Sequence, residues 1–591
     1  MKRQKPDSMG TVTKVNEPER PFWRPARDHW PGLNHPAFAW TARAGLTAPA
    51  IFVIFCLTLA PWLYDFPLND DWAYAIGVKN LLEQGRIVLC DWAAATQLTH
   101  LLGGALFARL FGFSFTVLAA YTITAAAGTI FVFVKILEEL EIRPFDRTLA
   151  ALVLALNPIF LVLANSFMTD ITYLFWMVLS SYFYIRHLKT ARPAALVCAG
   201  LCAAAAYLTR QLGIALPLAY TLILAREKRL NLKGTIMIWL APLAAIAGYA
   251  LWLKYVHGPL WASYAFPATL KYVTSPGLFA SNTVYRLFAV MLETGLVLFP
   301  LAAGACCFRG PAADKVRAHK KRGGTSAVGA PSTGGPWNGW AWLSLAVLAG
   351  FIFMNGPLPY LENTLNRTGL GVLTLGGAGF KPSSFFSNRY FWYALTALSA
   401  FASAMLLYAS GLSLKKGDAA VRFVFLSAVI HLGISLTNTK FFDRYLLTLL
   451  PWFILAAVFA AKDRKFSRPA AVLALALMAA VSWAGVKDYL QWNRAKWDLA
   501  LKPGHGLAPG EIVNGFDYEA WFNYEKNIAY LKTMKPLKLI DEWDWQRMTP
   551  YKAMISFGRR ADLDTMDEQE YDTPLSSRKG VVYLLRGKEK R

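Results

Sequence analysis

Charge is scarce in this chain, and negative charge scarcest. Only 17% of the 591 residues are charged, with 37 Asp+Glu against 61 Lys+Arg. Cysteine is scarce as well, at six residues: Cys56, Cys90, Cys198, Cys202, Cys306 and Cys307. Five of them fall in apolar runs and only Cys90 in a loop, which excludes a disulfide framework. Cys198 and Cys202 share a helix face, but no His or further Cys joins them to complete a metal site. H-E-x-x-H, G-x-S-x-G and the P-loop are all missing, so zinc hydrolase, serine hydrolase and ATPase readings lack their motifs. No cleavable signal peptide is expected: the first 44 residues are polar, Pro-rich and basic, and read as a cytoplasmic tail.

Apolar residues are abundant. Hydrophobic residues make up 55% of the chain and aromatics 14%, with mean hydropathy +0.33. Apolar runs of about 20 residues, enough to cross a hydrocarbon core of ~30 Å, recur along the length. They predict thirteen spans, near 45–64, 115–136, 148–164, 171–187, 194–209, 212–225, 235–254, 287–308, 338–354, 390–410, 421–437, 445–461 and 469–486. The segment Ala93 to Phe111 is apolar but carries Gln97, His100 and Arg109, and is expected to be an amphipathic helix on the outer face. The net charge of +24 would suggest nucleic acid in a soluble protein. Here the basic excess sits in the tail and in alternate loops, as the positive-inside rule requires, so no nucleic-acid partner is expected.

That distribution puts the N-terminus inside and the C-terminal hundred residues outside. Three parts follow: a basic cytoplasmic tail (1–44), a transmembrane body (45–487) and an outer C-terminal domain (488–591). Loop 309–336 is basic, then Gly/Ser/Pro-rich, and reads as an inner linker. In the C-terminal part, the β-like runs Ala553 to Phe557 and Val581 to Leu585 suggest a small α/β domain. No inverted internal repeat of the kind transporters carry is visible.

Chemistry is concentrated at the outer ends of the spans. Asn69-Asp70-Asp71-Trp72 follows the first span, and a carboxylate pair at a membrane face is costly to keep. Adjacent carboxylates point apart in regular backbone. One of Asp70 and Asp71 is expected to face a cavity as a general base, and the other to cap the helix starting near Trp72. Asp170 is the only ionisable group of a short outer loop; it either caps the helix from Ile171 or joins Asp70. Arg210 in YLTRQLG, Lys440 and Arg444 in TKFFDRYLL, and Arg389 in SNRY are cations at span ends. They are suited either to snorkelling or to holding a phosphate. Tyr445, Phe441, Phe442 and Trp452 fit an interfacial aromatic belt. Glu293, inside a span, has no account beyond a buried hydrogen bond.

These residues resemble the GT-C glycosyltransferases, family 39 type. That branch includes protein O-mannosyltransferases, the lipid A aminoarabinose transferase and rhizobial galacturonosyl transferases. The likeness is carried by Asp70 and Asp71 with Tyr74 and Leu81-Leu82…Gly85, by Asn157-Pro158 in the third span with Asp170 opening the fourth, by LTRQ-x-G at Leu208 to Gly213, and by Arg444 to Pro451. It covers about residues 45 to 461. Asp71-Trp72 departs from it, since many relatives have Glu followed by a small residue.

The resemblance implies an all-α polytopic GT-C fold with outer juxtamembrane helices and a C-terminal α/β periplasmic domain, in a bacterial inner membrane. It implies inverting transfer of a sugar from a polyprenyl phosphate to a hydroxyl of a lipid, glycan or protein at the outer face. Asp70 would be the base, with Asp71 beside it and Asp170 supporting the site. Arg210 and Arg444, with Lys440 and Arg389 as further candidates, would hold the lipid phosphate. No cofactor or metal is required, although three carboxylates could gather around Mg²⁺ or Mn²⁺. A flippase or transporter without covalent chemistry is the competing expectation, and a non-catalytic scaffold a third.

Overall fold

In the computed structural model, residues 36–305, 339–356, 361–366, 368–375, 388–462, 466–574, 576 and 578–587 are described. Most of the tail, loop 309–336, Cys306 and Cys307 lie outside them. Among the described residues, seven helices are long and apolar enough to cross a membrane: Gly45–Leu63, Phe115–Glu139, Leu232–His257, Pro276–Ala305, Arg389–Lys416, Ala419–Leu436 and Arg468–Leu501. The pair Pro144–Ala155 and Pro158–Ala164, bent by 65°, makes an eighth if it is one span. The sequence explains the bend. Pro158 cannot donate the helical hydrogen bond and clashes with the preceding turn. Asn157 caps the new helix, its Oδ1 accepting from Phe160 N at 3.0 Å.

Each of the thirteen predicted runs falls largely on helix over its described residues, but several helices are short: Pro193–Thr209, Gln211–Arg226, Trp342–Asn355 and Leu450–Ala461. An apolar window counts the residues on both sides of Arg210 and after Arg444 as continuous hydrophobic length. The chain instead spends part of that length on 3₁₀ turns, Gln211–Ile214 and Asp443–Thr448. Those turns carry the two arginines. Leu98–Phe111 is a helix of 14 residues, too short to cross on its own.

Small residues let the long helices approach. A Cβ on Gly295 would lie 2.1 Å from Ser403 Oγ and 2.3 Å from Ser399 O. Any larger residue would therefore part helices Pro276–Ala305 and Arg389–Lys416. Ser403 Oγ donates across this seam to Met291 O at 2.6 Å.

Two short strands, β1 (Leu365–Asn366) and β2 (Gly369–Leu370), pair antiparallel, and the C-terminal part builds a separate four-stranded sheet. Its strands are β3 (Ile512–Val513), β4 (Ala553–Ser556), β5 (Leu563–Tyr571) and β6 (Gly580–Gly587), in the order β3-β4-β6-β5, and the helix Phe516–Met534 precedes β4. β3 and β4 are parallel; β4–β6 and β5–β6 are antiparallel, with Ala553 opposite Arg586. Strands β4 and β6 lie on the two apolar runs read from the sequence. Strand β5, LDTMDEQEY, is edge strand with mostly polar side chains. Edges tolerate and favour charge, which is why hydrophobic patterning passes over it. Lys496 near the end of the helix Arg468–Leu501 pairs with Asp517 at 2.7 and 2.9 Å, both side chains fully buried. Lys496 also reaches Thr374 Oγ1 at 2.8 Å. This buried pair ties the sheet-bearing part to the helical body, and removing one partner would leave a charge stranded.

Candidate active site

The first loop resolves the question of two adjacent carboxylates. Asn69 takes a left-handed φ of 54°, and the turn that follows points Asp70 and Asp71 to opposite sides. Asp71 is buried and accepts from Leu68 N at 3.2 Å. Burial raises its pKa well above the usual carboxylate value, against the lowering effect of the Phe167 and Leu68 amides. Asp71 therefore closes the turn and bonds to backbone, not to the arginines. Asp70 occupies the N-cap position of the helix Asp71–Gln84 without making a side-chain cap. Its Oδ1 accepts from the indole Nε1 of Trp92 at 2.9 Å, and its Oδ2 faces Arg444 Nη1 at 3.4 Å.

Asp170 likewise does not cap its helix; Met168 holds that position. Instead the Asp170 Oδ1 pairs with Arg210 Nη1. The turn that delivers Arg210 depends on Gly213. The chain folds back onto the end of Pro193–Thr209 so closely that a Cβ at 213 would sit 2.3 Å from Tyr207 N. Gly213 N then donates to Arg210 O at 3.0 Å. Gln211 Nε2 donates to Ala94 O at 2.9 Å, and Gln97 N to Thr209 O at 3.1 Å, fastening the turn to the 93–98 segment. Fully buried His100 bridges Thr172 Oγ1 at 2.9 Å and Phe167 O at 3.1 Å, and burial pushes its pKa down to about 3. A neutral imidazole thus fixes the Asp170 loop.

Arg444 completes the cluster. Its guanidinium lies 5.9 Å from the Tyr445 ring centroid and that of Arg210 5.6 Å from the same ring, so Tyr445 separates two cations. Sequence reading assigned Tyr445 only to the interfacial belt. Trp452, expected there too, is 1% exposed. Burial works against the charge on Arg444, but Asp170 and Asp70 outweigh it and raise its pKa. For Arg210, burial is outweighed by Asp170, Tyr445 and Tyr74. Tyr74 feels all four charged groups. Asp70, Asp170, Arg210 and Arg444 thus form one largely buried, charge-balanced cluster. Within it, Asp170 Oδ2 and Arg444 Nε have no hydrogen-bond partner among the described residues.

Lys440 and Arg389 are not brought into the cluster. Lys440 is 63% exposed and pairs with Glu542 at 2.8 Å. Arg389 is exposed at the start of its helix, and its described contacts are with Tyr390, 3.2 Å from Nη2 to the hydroxyl. Two carboxylates that the sequence left without a role hold the segment beside the cluster. Glu293 accepts from Leu361 N. Asp443 Oδ2 accepts from Thr364 N at 2.7 Å and Leu365 N at 2.5 Å. Burial pushes the Asp443 pKa up to about 6 despite those amides and Arg444. Among the described residues no three His, Cys, Asp or Glu gather in a metal-holding group.

Sequence reading also missed an aromatic wall behind Asp70. Trp92 packs 5.0 Å from Trp543 and 6.2 Å from Phe516, centroid to centroid. Fully buried Trp72 and Trp545 lie beneath, 5.9 and 6.5 Å from Trp92. The only signal was the density of Trp around both acidic stretches, which fits a core equally well.

Residues 103–255 match the family model of the dolichyl-phosphate-mannose-protein mannosyltransferases. Over that quarter of its length, the stretch holding Asp170 and Arg210, the chain is similar to this family. Among solved structures, it is similar to ArnT from Cupriavidus metallidurans bound to undecaprenyl phosphate. That match has 12% identity and TM-score 0.36, covering 93% of this chain and 98% of that one. It is similar to the oligosaccharyltransferase AglB from Archaeoglobus fulgidus, in complex with an inhibitory peptide and a dolichol-phosphate. There the identity is 14% and the TM-score 0.43, over 88% of this chain and 70% of that one. The S. cerevisiae protein O-mannosyltransferase Pmt1-Pmt2 complex bound to the sugar donor matches at 14% identity and TM-score 0.29, over 36% of this chain. The chain spans about a third of that protein's length, 33%. No curated protein sequence matches the chain.

Proposed function

We propose that this protein is a membrane glycosyltransferase. It moves a sugar from a polyprenyl-phosphate donor to a hydroxyl acceptor, with inversion, at the outer face of a bacterial inner membrane. The observation that carries the reading is the pairing of Asp70 with Arg444 and Asp170 with Arg210 in one largely buried cluster at the ends of apolar helices. The match to a mannosyltransferase family over residues 103–255 supports it. In this scheme the N-terminus is cytoplasmic and the C-terminal domain, residues 488–591, periplasmic.

The chemistry follows from the groups. Arg444 offers a free Nε–H and Arg210 a guanidinium already buried, and both suit phosphate oxygens. Fixed cations stabilise the charge that grows on the phosphate as the C1–O bond breaks. The acceptor hydroxyl loses its proton to Asp70 as its oxygen forms the new bond to C1, and polyprenyl phosphate leaves with the electron pair. A donor phosphate on Arg444 draws that cation away from Asp70 and frees the carboxylate to act as base. Asp170 holds Arg210 in place; Asp71 shapes the loop. No step needs a metal. Lys440 and Arg389 stay outside the scheme. The transport alternative would draw support from a charge deep in the membrane; Glu293, the main candidate, instead accepts the Leu361 amide.

The test is a reconstituted assay with polyprenyl phosphates carrying different labelled sugars, alongside masses of envelope lipids and glycans from a deletion strain. Label on a new acceptor together with free polyprenyl phosphate supports the reading. Label crossing the bilayer on an unchanged donor would replace it with transport.

A further inference from the structure

Asp70 has two oxygens with different surroundings. Oδ2 faces Arg444, on the side proposed for the leaving phosphate. Oδ1 faces Trp92. In an inverting displacement the nucleophile enters opposite the leaving group, so the acceptor side of Asp70 is the Trp92 side. That side is lined by rings. Trp92 stands T-shaped to Trp543, with Phe516 tilted beside it. Trp92 and Phe516 are partly exposed and Trp543 is 37% exposed, while the layer below them, Trp72, Trp545 and Tyr524, is sealed. A wall needed only for packing would bury its outer rings as well.

Polar groups flank the rings. Glu542 is next to Trp543 in sequence, and its carboxylate meets Lys440 at 2.8 Å, both largely exposed. Lys440 lies four residues from Arg444. The C-terminal part therefore contributes Glu542 and Trp543 to the neighbourhood of the proposed base. Flat, partly exposed rings beside charged hydrogen-bonding groups suit a sugar ring. Its axial C–H face stacks on an aromatic face, and its hydroxyls need donors and acceptors at the rim. A peptide hydroxyl needs neither the aromatic rings nor the rim.

Resting on the glycosyltransferase reading, we propose that Trp92, Trp543 and Phe516 form the acceptor platform, and that the acceptor is a saccharide. Trp543 is then a specificity-determining residue that acts on acceptor binding and not on bond breaking.

The experiment uses the full chain in lipid nanodiscs with a competent polyprenyl-phosphate sugar. Three acceptor probes are offered: the lipid A disaccharide, lipopolysaccharide core oligosaccharide and a Ser/Thr-rich peptide. Saturation-transfer NMR reports saccharide binding independently of turnover. A saccharide should bind and accept label. Trp543→Ala should raise its KM at least tenfold with kcat within threefold, and Trp543→Phe should recover most of the loss. Transfer to peptide alone, or a saccharide KM untouched by Trp543→Ala, overturns the proposal while leaving the transferase reading standing. No release of polyprenyl phosphate from any donor by the unaltered chain would remove that reading, and saccharide binding insensitive to Trp543 would then remove this one too.

Discussion

Replacing Asp70 by Asn removes a charge and a base while keeping shape. Asn offers an oxygen to Trp92 Nε1, so the 2.9 Å bond survives. Arg444 loses its anion at 3.4 Å, with the two side chains 10% and 18% exposed. At an effective dielectric of 20 that separation corresponds to about 5 kcal/mol of gross attraction. Desolvation and residual solvent screening offset most of it, leaving roughly 1 kcal/mol net. The unpaired Arg444 should hold a donor phosphate up to about fivefold more tightly. Loss of a positioned base should lower kcat by about 10²–10⁴. Initial rates in nanodiscs should therefore show kcat collapsing while the donor KM stays level or falls. Asp71→Asn is the contrast. That carboxyl is already pushed towards its neutral form by burial and accepts only from backbone, so transfer should stay within a few-fold. A kcat for Asp70→Asn within threefold of the unaltered protein, or a donor KM that rises, would refute Asp70 as base and leave it a tether for Arg444.

Gly213→Ala should cost at least tenfold in transfer even where the protein inserts, because the added Cβ meets backbone at 2.3 Å and displaces Arg210; thermal unfolding should show a loss of about 1–3 kcal/mol. Asp443, raised from 3.8 to about 6 by burial, should make donor binding weaken as pH rises through about 6. Its new negative charge beside Arg444 opposes a phosphodiester that does not titrate there, an effect of ~0.5–1 kcal/mol or about two- to fivefold in KM. Asp443→Asn should flatten that profile. A raised carboxyl pKa also contributes stability that is fully present below 3.8 and lost as pH rises through about 6. EDTA should leave transfer unchanged, since both carboxylates of the cluster are taken by arginines; activity lost to EDTA and restored by Mg²⁺ or Mn²⁺ would contradict this.

The fold was legible wherever one rule decided the outcome. Apolar length located the helices; the 148–164 run, read as one span with Asn157-Pro158 inside it, is instead bent there by 65°. Apolar length alone does not fix the number of spans, for a physical reason. Apolar residues next to Arg210 and after Arg444 serve the 3₁₀ turns Gln211–Ile214 and Asp443–Thr448, and hydropathy does not distinguish a 3₁₀ turn from a helix. Strand β5 escaped because its partner sits on one side only and its charges face water.

The site was half legible, and the division follows the range of the forces. Asp70, Asp170, Arg210 and Arg444 each stand out alone, as charges too near a membrane to be kept idly, so a reader can collect them without knowing their geometry. Lys440 and Arg389 stand out by the same rule, and that is its weakness. A cation at a span end can face lipid headgroups, water or an acidic partner, and only packing chooses between them. What could not be read at all are roles assigned by contacts across hundreds of residues. Trp92 meets Asp70 through the first loop but is backed by Trp543 and Phe516 from the C-terminal part. Glu293 and Asp443 matter because both seize amides of the same short segment, Leu361 to Leu365. A buried carboxylate held by backbone amides is costly to desolvate, and at Asp443 even the nearby Arg444 does not offset that burial. Two such groups on one five-residue segment argue that the position of that segment beside Arg444 is worth the cost, and that the phosphate side of the cluster is fixed before any donor arrives.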